Sequence, residues 1–137
     1  MIILDTHVLI WAVNNDPRLG PRTRQLIEAA IQADEVLVSA ITPWEIALLC
    51  QKGRLSLGRD VGVWIDEALS RPGVRLAPIE PAIALGSVRL PGTFHADPAD
   101  RFIVATARHL AAQLVTADRE ILNYADKGYV AAVDAAA

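Results

Sequence analysis

The chain has 137 residues, of which 53% are hydrophobic, and its formal net charge is −3. This length suits one domain with a single core, and the apolar content excludes a mainly disordered chain. The single cysteine, Cys50, excludes an intrachain disulfide and a cysteine-rich zinc site. No apolar run reaches the ~18 residues that a membrane span needs. We therefore expect one cytoplasmic domain over residues 1–137.

Short apolar runs alternate with amphipathic segments along the chain. In chain order the pattern predicts a strand at 2–5, a helix at 20–33, a strand at 36–38, helices at 42–53 and 61–69, a strand at 74–79, helices at 81–88 and 97–112, a strand at 114–116, a helix at 118–124 and a short fifth strand at 129–130. This alternation predicts an α/β fold in which a mostly parallel sheet of four or five strands carries helices on both faces. The alanine-rich segment after Asp134 is expected to fray.

Four carboxylates are expected to converge at one edge of this sheet. Asp5 ends the first predicted strand, and Asp118 follows the fourth by two residues. Glu45 and Asp100 lie in the first turns of helices that begin near that edge. Carboxylates that converge repel one another unless a cation lies between them or their pKa values rise. Mg²⁺ and Mn²⁺ prefer carboxylate oxygens, and two such ions promote phosphodiester hydrolysis.

Helix capping is the competing interpretation of these acids. Thr42 and Glu45 match the first and last positions of a capping box, and Asp97 with Asp100 matches another. Asp118 also matches an N-cap. Each acid taken alone is more often structural, but Asp5 is not an obvious cap, and a carboxylate at the end of a buried strand needs a partner. The joint placement of the four acids favours a site.

Four segments resemble the PIN-domain superfamily, and more closely its VapC-type toxins. The matching segments are residues 4–11, 39–47 with 52–55, 95–101 with 105–107, and 114–118. They follow the order and spacing of the family over almost the whole chain. The resemblance implies a three-layer α/β/α fold and a ribonuclease, dependent on Mg²⁺ or Mn²⁺, that is the toxin of a toxin–antitoxin pair. It also implies a homodimer and a small VapB-like antitoxin partner.

The same resemblance assigns roles to individual residues. The four site acids map to Asp5, Glu45, Asp100 and Asp118, with Asp5 and Asp100 as the central metal ligands. Asp97 matches a family position that supports the site.

Other residues beside the acids have more than one open interpretation each. The hydroxyls of Thr6 and Thr116 either order water at the metal or satisfy the local backbone. Arg101 either contacts phosphate, pairs with an acid or belongs to a solvated face. His95 has no zinc-ligand spacing to a second histidine and is either structural or close to the RNA.

A set of apolar residues near the second and third predicted helices is expected to exceed what a monomer buries, and so to form an interface. The set is Trp11, Trp44, Ile46, Leu49, Leu55, Leu57, Trp64 and Ile65. The alternative is that these side chains fill the core of a monomer. Trp11, Trp44 and Trp64 could also stack on bases, but their apolar neighbours favour packing in a core or an interface.

Other functional classes fit the sequence less well. A haloacid-dehalogenase-like phosphatase needs a second aspartate two residues after the first, where this chain has His7. A receiver domain needs a phosphorylatable aspartate after the third strand, where this chain has Glu80. A PIN-like scaffold without catalysis, or an RNA-binding module, stays open, and binding of a divalent metal would discriminate between these and an enzyme.

Overall fold

A five-stranded parallel sheet forms the central layer of the computed structural model, which describes all 137 residues. The strands are β1 (Ile2–Leu4), β2 (Val36–Ser39), β3 (Val74–Ala77), β4 (Gln113–Thr116) and β5 (Ala132–Asp134). Their order is β3-β2-β1-β4-β5, and every neighbouring pair is parallel. The predicted fold class is therefore confirmed.

Helices cover both faces of this sheet. They are α1 (Thr6–Val13), α2 (Pro21–Gln32), α3 (Ile41–Gln51), α4 (Val61–Leu69), α5 (Pro81–Val88), α6 (Pro98–Leu110) and α7 (Arg119–Asp126). Successive side chains of a strand point to opposite faces. Ile2 and Leu4 accordingly belong to a core with residues of α1, α2 and α4, while Ile3 belongs to a second core with residues of α6 and α7. These two cores make the three-layer α/β/α arrangement.

The topology places the end of β1 in the middle of the molecule. β1 pairs with β2 on one side and β4 on the other, so the strand order reverses direction there. In open α/β sheets, ligands bind outside the carboxyl ends of the strands at such a point. Asp5 is the residue that follows β1.

The last strand and the C-terminus differ from the sequence prediction. β5 lies at Ala132–Asp134 and not at residues 129–130, because Val130 is buried in the second core before the strand begins. The end of the chain is also not frayed. Ala135 is fully buried, and its carbonyl accepts a hydrogen bond from Gly20 N at 2.9 Å. The terminal residues thus fasten β5 to the start of α2.

Two further element boundaries differ. β3 ends at Ala77 because Pro78 has no N–H to donate to a neighbouring strand. The predicted capping box at Thr42 is wrong: α3 begins at Ile41, whose N–H donates to Ser39 Oγ at 3.1 Å. Glu45 therefore does not close a capping box.

The predicted apolar interface is mostly core. Ile46 and Trp64 are fully buried in the first core, and Trp11, Leu55, Leu57 and Ile65 pack against it. Trp44, at 48% exposure, is the large exposed member of the predicted set. Exposed apolar side chains occur instead on α5, where Leu85 is 49% and Val88 is 76% exposed. None of the helices combines the length and apolar character needed to cross a membrane.

Candidate metal centre

Asp5 lies at the base of a carboxylate cleft at the carboxyl edge of the sheet. It is 6% exposed, and contrary to the sequence analysis it is a helix N-cap, at the start of α1. Its Oδ1 accepts from Thr6 N at 2.9 Å, and its Oδ2 accepts from Thr116 Oγ1 at 2.7 Å. Burial raises the pKa of Asp5, although both hydrogen bonds oppose the rise. Both carboxylate oxygens of Asp5 are therefore held in place by the protein.

The two threonines named by the sequence analysis are fully buried beside Asp5. Thr116 Oγ1 donates to Asp5 and accepts from Asp118 N at 3.0 Å, so one hydroxyl links two of the predicted site acids. Thr6 Oγ1 lies 3.3 Å from Thr42 Oγ1. Thr42, which the sequence analysis assigned to a cap, thus connects α3 to α1 beneath the cleft.

Asp97 and Asp118 cap helices through one oxygen each. Asp97 Oδ1 accepts from Asp100 N at 3.0 Å at the start of α6. Asp118 Oδ1 accepts from Glu120 N at 2.8 Å at the start of α7. Each carboxylate has a second oxygen outside its capping bond, so capping and participation in a site are compatible for these acids.

Asp100 and Glu45 have the electrostatic signature of a crowded acidic site. Burial, followed by the charges of Asp5, Asp97, Asp118 and Glu45, raises the pKa of Asp100 to about 8. Burial also raises the pKa of Glu45, and the charges of Asp5 and Asp97 add to that rise. Without a cation, these carboxyls hold protons at a pH where ordinary carboxyls are ionised.

All five acids of the sequence analysis meet in one cleft of about 340 Å³. Two groups of side chains bring their ligand atoms within 4.8 Å of one another. One group is Glu45, Asp97 and Asp100, and the other is His95, Asp100 and Asp118. Asp100 belongs to both groups, whereas Asp5 belongs to neither. These oxygen-rich sets fit Mg²⁺ or Mn²⁺, and the raised carboxyl pKa values indicate that a bound cation would relieve repulsion.

His95 lies against Asp100 at the edge of the cleft. Its Nε2 is 3.1 Å from Asp100 Oδ2 and 3.6 Å from Glu120 Oε2, yet it makes no hydrogen bond because it is not aimed at either oxygen. Its Nδ1 accepts from Asp97 N at 3.3 Å, which places the proton of a neutral imidazole on Nε2.

Arg101 has a structural role. Its Nε donates to Ser87 O at 2.8 Å, and its Nη1 donates to Phe94 O and His95 O at 2.9 and 3.0 Å. The guanidinium thereby holds the loop before α6 against α5. Its Nη2 donates to Val88 O at 3.4 Å, so backbone carbonyls engage most of its donors, and contact between Arg101 and phosphate stays a prediction.

His7 and Trp11 also line the cleft. They lie one turn apart on α1, a helix that the sequence pattern did not predict. The signal for a shared position is the spacing of four residues between His7 and Trp11, which puts both side chains on one helix face.

Comparisons with known proteins agree on the family. Residues 2–127 match the family model of the PIN domain. The chain is 37% identical to ribonuclease VapC22 of Mycobacterium tuberculosis over 123 residues, which cover 90% of this chain and 91% of the relative. Among solved structures, FitAcB of Neisseria gonorrhoeae matches with a TM-score of 0.60 at 25% identity over 98% of both chains. VapBC2 of Rickettsia felis, bound to a promoter DNA fragment, matches with a TM-score of 0.70 at 17% identity over 98% of both chains, which shows the fold alone.

Proposed function

The chain belongs to the PIN domain family, and from this membership we propose that it is a Mg²⁺- or Mn²⁺-dependent endoribonuclease, the toxin of a toxin–antitoxin pair. The observation that carries the proposal is the meeting of five acids in one cleft, with the pKa of Asp100 raised to about 8. A scaffold without catalysis has no need for a cluster that destabilises its own charged form. The similarity to ribonuclease VapC22 supports RNA as the substrate.

Some residues of the cleft would bind cations, and others position these ligands through hydrogen bonds. Asp5, Glu45, Asp100 and Asp118 would hold Mg²⁺ or Mn²⁺, and Asp97 and His95 lie beside Asp100. When bound, such ions activate water for attack on phosphorus and stabilise charge on the leaving oxygen.

Asp5, fixed by Thr6 and Thr116 at the base of the cleft, would be a central ligand together with Asp100. Attack by water forms a new oxygen–phosphorus bond and breaks the bond to the 3′-oxygen, which takes a proton. The products are a 5′-phosphate and a 3′-hydroxyl.

The proposal is tested with Asp5→Asn and a matched control, Asp34→Asn. Asp34 is exposed and precedes β2, so it lies at the edge of the sheet opposite the cleft, and its positive φ of 59° is a conformation that asparagine tolerates. We expect Asp5→Asn to abolish cleavage of single-stranded RNA and to leave the melting temperature without metal unchanged or higher, because a repelling carboxylate is removed. Asp34→Asn should cleave like the wild type.

Metal dependence is measured on the same proteins. Mg²⁺ or Mn²⁺ should raise the melting temperature of the wild type, because a ligand that binds the folded state preferentially stabilises it. The rise should shrink in Asp5→Asn and persist in Asp34→Asn. Wild-type cleavage that continues fully in excess EDTA, or a folded Asp5→Asn variant that cleaves at the wild-type rate, would contradict the proposal.

The partners proposed with this function are an RNA substrate, a VapB-like antitoxin and a second copy of the chain. The VapB-like antitoxin is supported by the 37% identity to ribonuclease VapC22, since the resemblance to VapC-type toxins implies such a partner. The homodimer is supported by the exposed apolar side chains of α5.

A further inference from the structure

One wall of the carboxylate cleft is aromatic and not acidic. His7 and Trp11 project from the same face of α1 and line the cleft together with the acids. Their ring centroids are 6.5 Å apart, and the ring planes are inclined by 59°. His7 is exposed, and Trp11 is only partly buried. These two side chains are therefore accessible to a strand whose phosphate lies in the cleft.

Arg18 is held over the indole of Trp11. Its Cζ lies 4.8 Å from the ring centroid. Its Nε and Nη2 donate to the two carboxylate oxygens of Asp16 at 3.1 and 2.7 Å. Asp16 N in turn donates to Trp11 O at 2.9 Å. The Arg18 side chain is 67% exposed, and its Nη1 takes no part in these bonds, so the outer side of the guanidinium is open to a ligand.

The loop that carries Arg18 is fastened by another arginine. Arg24 donates to Asn15 Oδ1 at 2.8 Å, to Leu19 O at 3.1 Å and to Asp16 O. The arrangement of Arg18 on Trp11 therefore exists before any ligand arrives. A surface that is already in its binding conformation loses less entropy when a ligand binds.

A tryptophan with a purely structural role looks different in this molecule. Trp64 is 4% exposed, and its Nε1 donates to Asn14 Oδ1 at 3.4 Å. Trp11 has no such bond, keeps part of its ring outside the core and carries a guanidinium on it. This contrast indicates that the exposed part of Trp11 is available for contact.

The chemistry of the wall matches a nucleobase. RNA is a polyanion, and the cleft that must receive it contains five carboxylates. Because like charges repel, contacts that do not depend on charge have to contribute to the affinity. Unpaired bases of RNA stack on aromatic rings and on guanidinium planes, and such stacking tolerates any base. Asp16 also keeps Arg18 paired at the wall, where it cannot fold into the cleft and compete with a cation for the acids.

We propose that His7, Trp11 and Arg18 form a subsite for one unpaired nucleobase of the RNA strand, adjacent to the phosphate that is cleaved. This inference rests on the proposed ribonuclease function. The base stacks against the guanidinium–indole pair, which fixes the strand while its phosphate lies over the acids.

Binding is measured first, by fluorescence anisotropy of a short end-labelled single-stranded RNA with Asp5→Asn as the parent protein, so that the strand is not cleaved. Trp11→Ala should weaken binding by roughly 5- to 140-fold, since a base–aromatic stack contributes about 1–3 kcal/mol and 1.4 kcal/mol is tenfold. Arg18→Ala should weaken it less. The matched control is Arg75→Ala, which removes an exposed arginine paired with Asp34 and should change nothing.

A ribose–phosphate strand without bases separates stacking from electrostatics. The parent and Trp11→Ala should bind this strand equally well. Because Trp11 packs partly on the core, Trp11→Leu and Trp11→Phe are compared as folded variants, and only Phe should retain binding. Equal binding of RNA by the Leu and Phe variants, or an equal loss on the base-free strand, would overturn the subsite.

Cleavage then separates this inference from the proposed function. In the protein with intact acids, Trp11→Ala should raise KM for RNA with little change in kcat. An abasic position at one site in the strand should remove the difference between the two proteins. If the wild type cleaves RNA and Trp11→Ala has the same KM, the subsite is wrong and the nuclease stands. If no protein cleaves RNA but binding still depends on Trp11, the subsite stands and the nuclease is wrong.

Discussion

At Asp100, burial and the charges of four neighbouring acids act in the same direction. They raise its pKa from 3.8 to about 8, while burial raises the pKa of Asp5 and Glu45 as well. The folded protein without metal therefore binds protons that the unfolded chain has released. A divalent cation and these protons compete for the same oxygens, so affinity for metal should increase with pH.

This shift predicts how stability without metal depends on pH. A raised pKa in the folded state contributes stability that is fully present below 3.8 and is lost as pH rises to about 8. The pKa of Asp16 is lowered to about 2 by Arg18, so its contribution to stability changes only between about pH 2 and pH 3.8, below the range in which Asp100 acts. We expect the melting temperature in EDTA to fall between pH 5 and pH 8, and to fall less in Asp100→Asn.

The control for this measurement is saturating Mg²⁺, which should remove the fall because the cation replaces the protons. A wild-type melting temperature in EDTA that is as high at pH 8 as at pH 5, with Asp100→Asn unchanged from it, would contradict the shift.

Among the elements, α6 ends in a conformation that its sequence does not favour. Ala111 follows the helix with a φ of 52° and a ψ of 38°, the left-handed region that glycine adopts at lower cost. Ala111 keeps this conformation because it connects α6 to β4. The next residue, Ala112, is buried, and its N–H donates to Ala107 O at 3.0 Å.

Ala111→Gly should therefore stabilise the protein, by about 0.5–1 kcal/mol, because it removes the left-handed cost of a Cβ. The same substitution at Ala29, an exposed position inside α2, should destabilise by about 1 kcal/mol. Urea denaturation of both variants measures the change in the free energy of unfolding, which should be positive for Ala111→Gly and negative for Ala29→Gly. A loss of stability in Ala111→Gly as large as that in Ala29→Gly would contradict the interpretation.

At the scale of the whole molecule, the exposed apolar side chains on α5 favour a homodimer. Leu85 and Val88 are three residues apart on one helix face and are 49% and 76% exposed. We expect light scattering to give a dimer, and Val88→Asp to give a monomer with an unchanged melting temperature. The control is Val63→Asp, at 45% exposure on α4. A wild-type monomer at high protein concentration would reject the dimer.

A co-expressed antitoxin is the second prediction at this scale. A small partner encoded beside this chain should co-purify with it and suppress RNA cleavage, and growth should be impaired when the chain is expressed alone. If the partner inserts an arginine among the acids, it competes with the cation, and excess Mn²⁺ should restore part of the activity. A partner that binds and leaves cleavage unchanged would contradict an inhibitory role.

The sequence by itself determined the α/β class and the identity of the acids. Continuous apolar runs such as residues 2–4 specify buried parallel strands, and a parallel strand delivers the residue after it, here Asp5, to the carboxyl edge. Local patterns also fixed the cap at Asp97 and the start of α6. These features depend on a few neighbouring residues, which is why pattern and spacing were sufficient.

Tertiary structure decided what depends on residues far apart in the chain. Thr42 does not cap α3, and its hydroxyl lies beside that of Thr6, which is 36 residues earlier. The C-terminus is ordered because Gly20 N and Thr23 N donate to its carbonyls. Arg101 donates to the carbonyls of Phe94 and His95 in the loop before α6, which its place in the sequence did not predict. The aromatic wall of the cleft needed the loop after α1 to bring Arg18 back over Trp11. Packing of the helices and loops sets the distances between these side chains, so their spacing along the sequence does not predict the contacts.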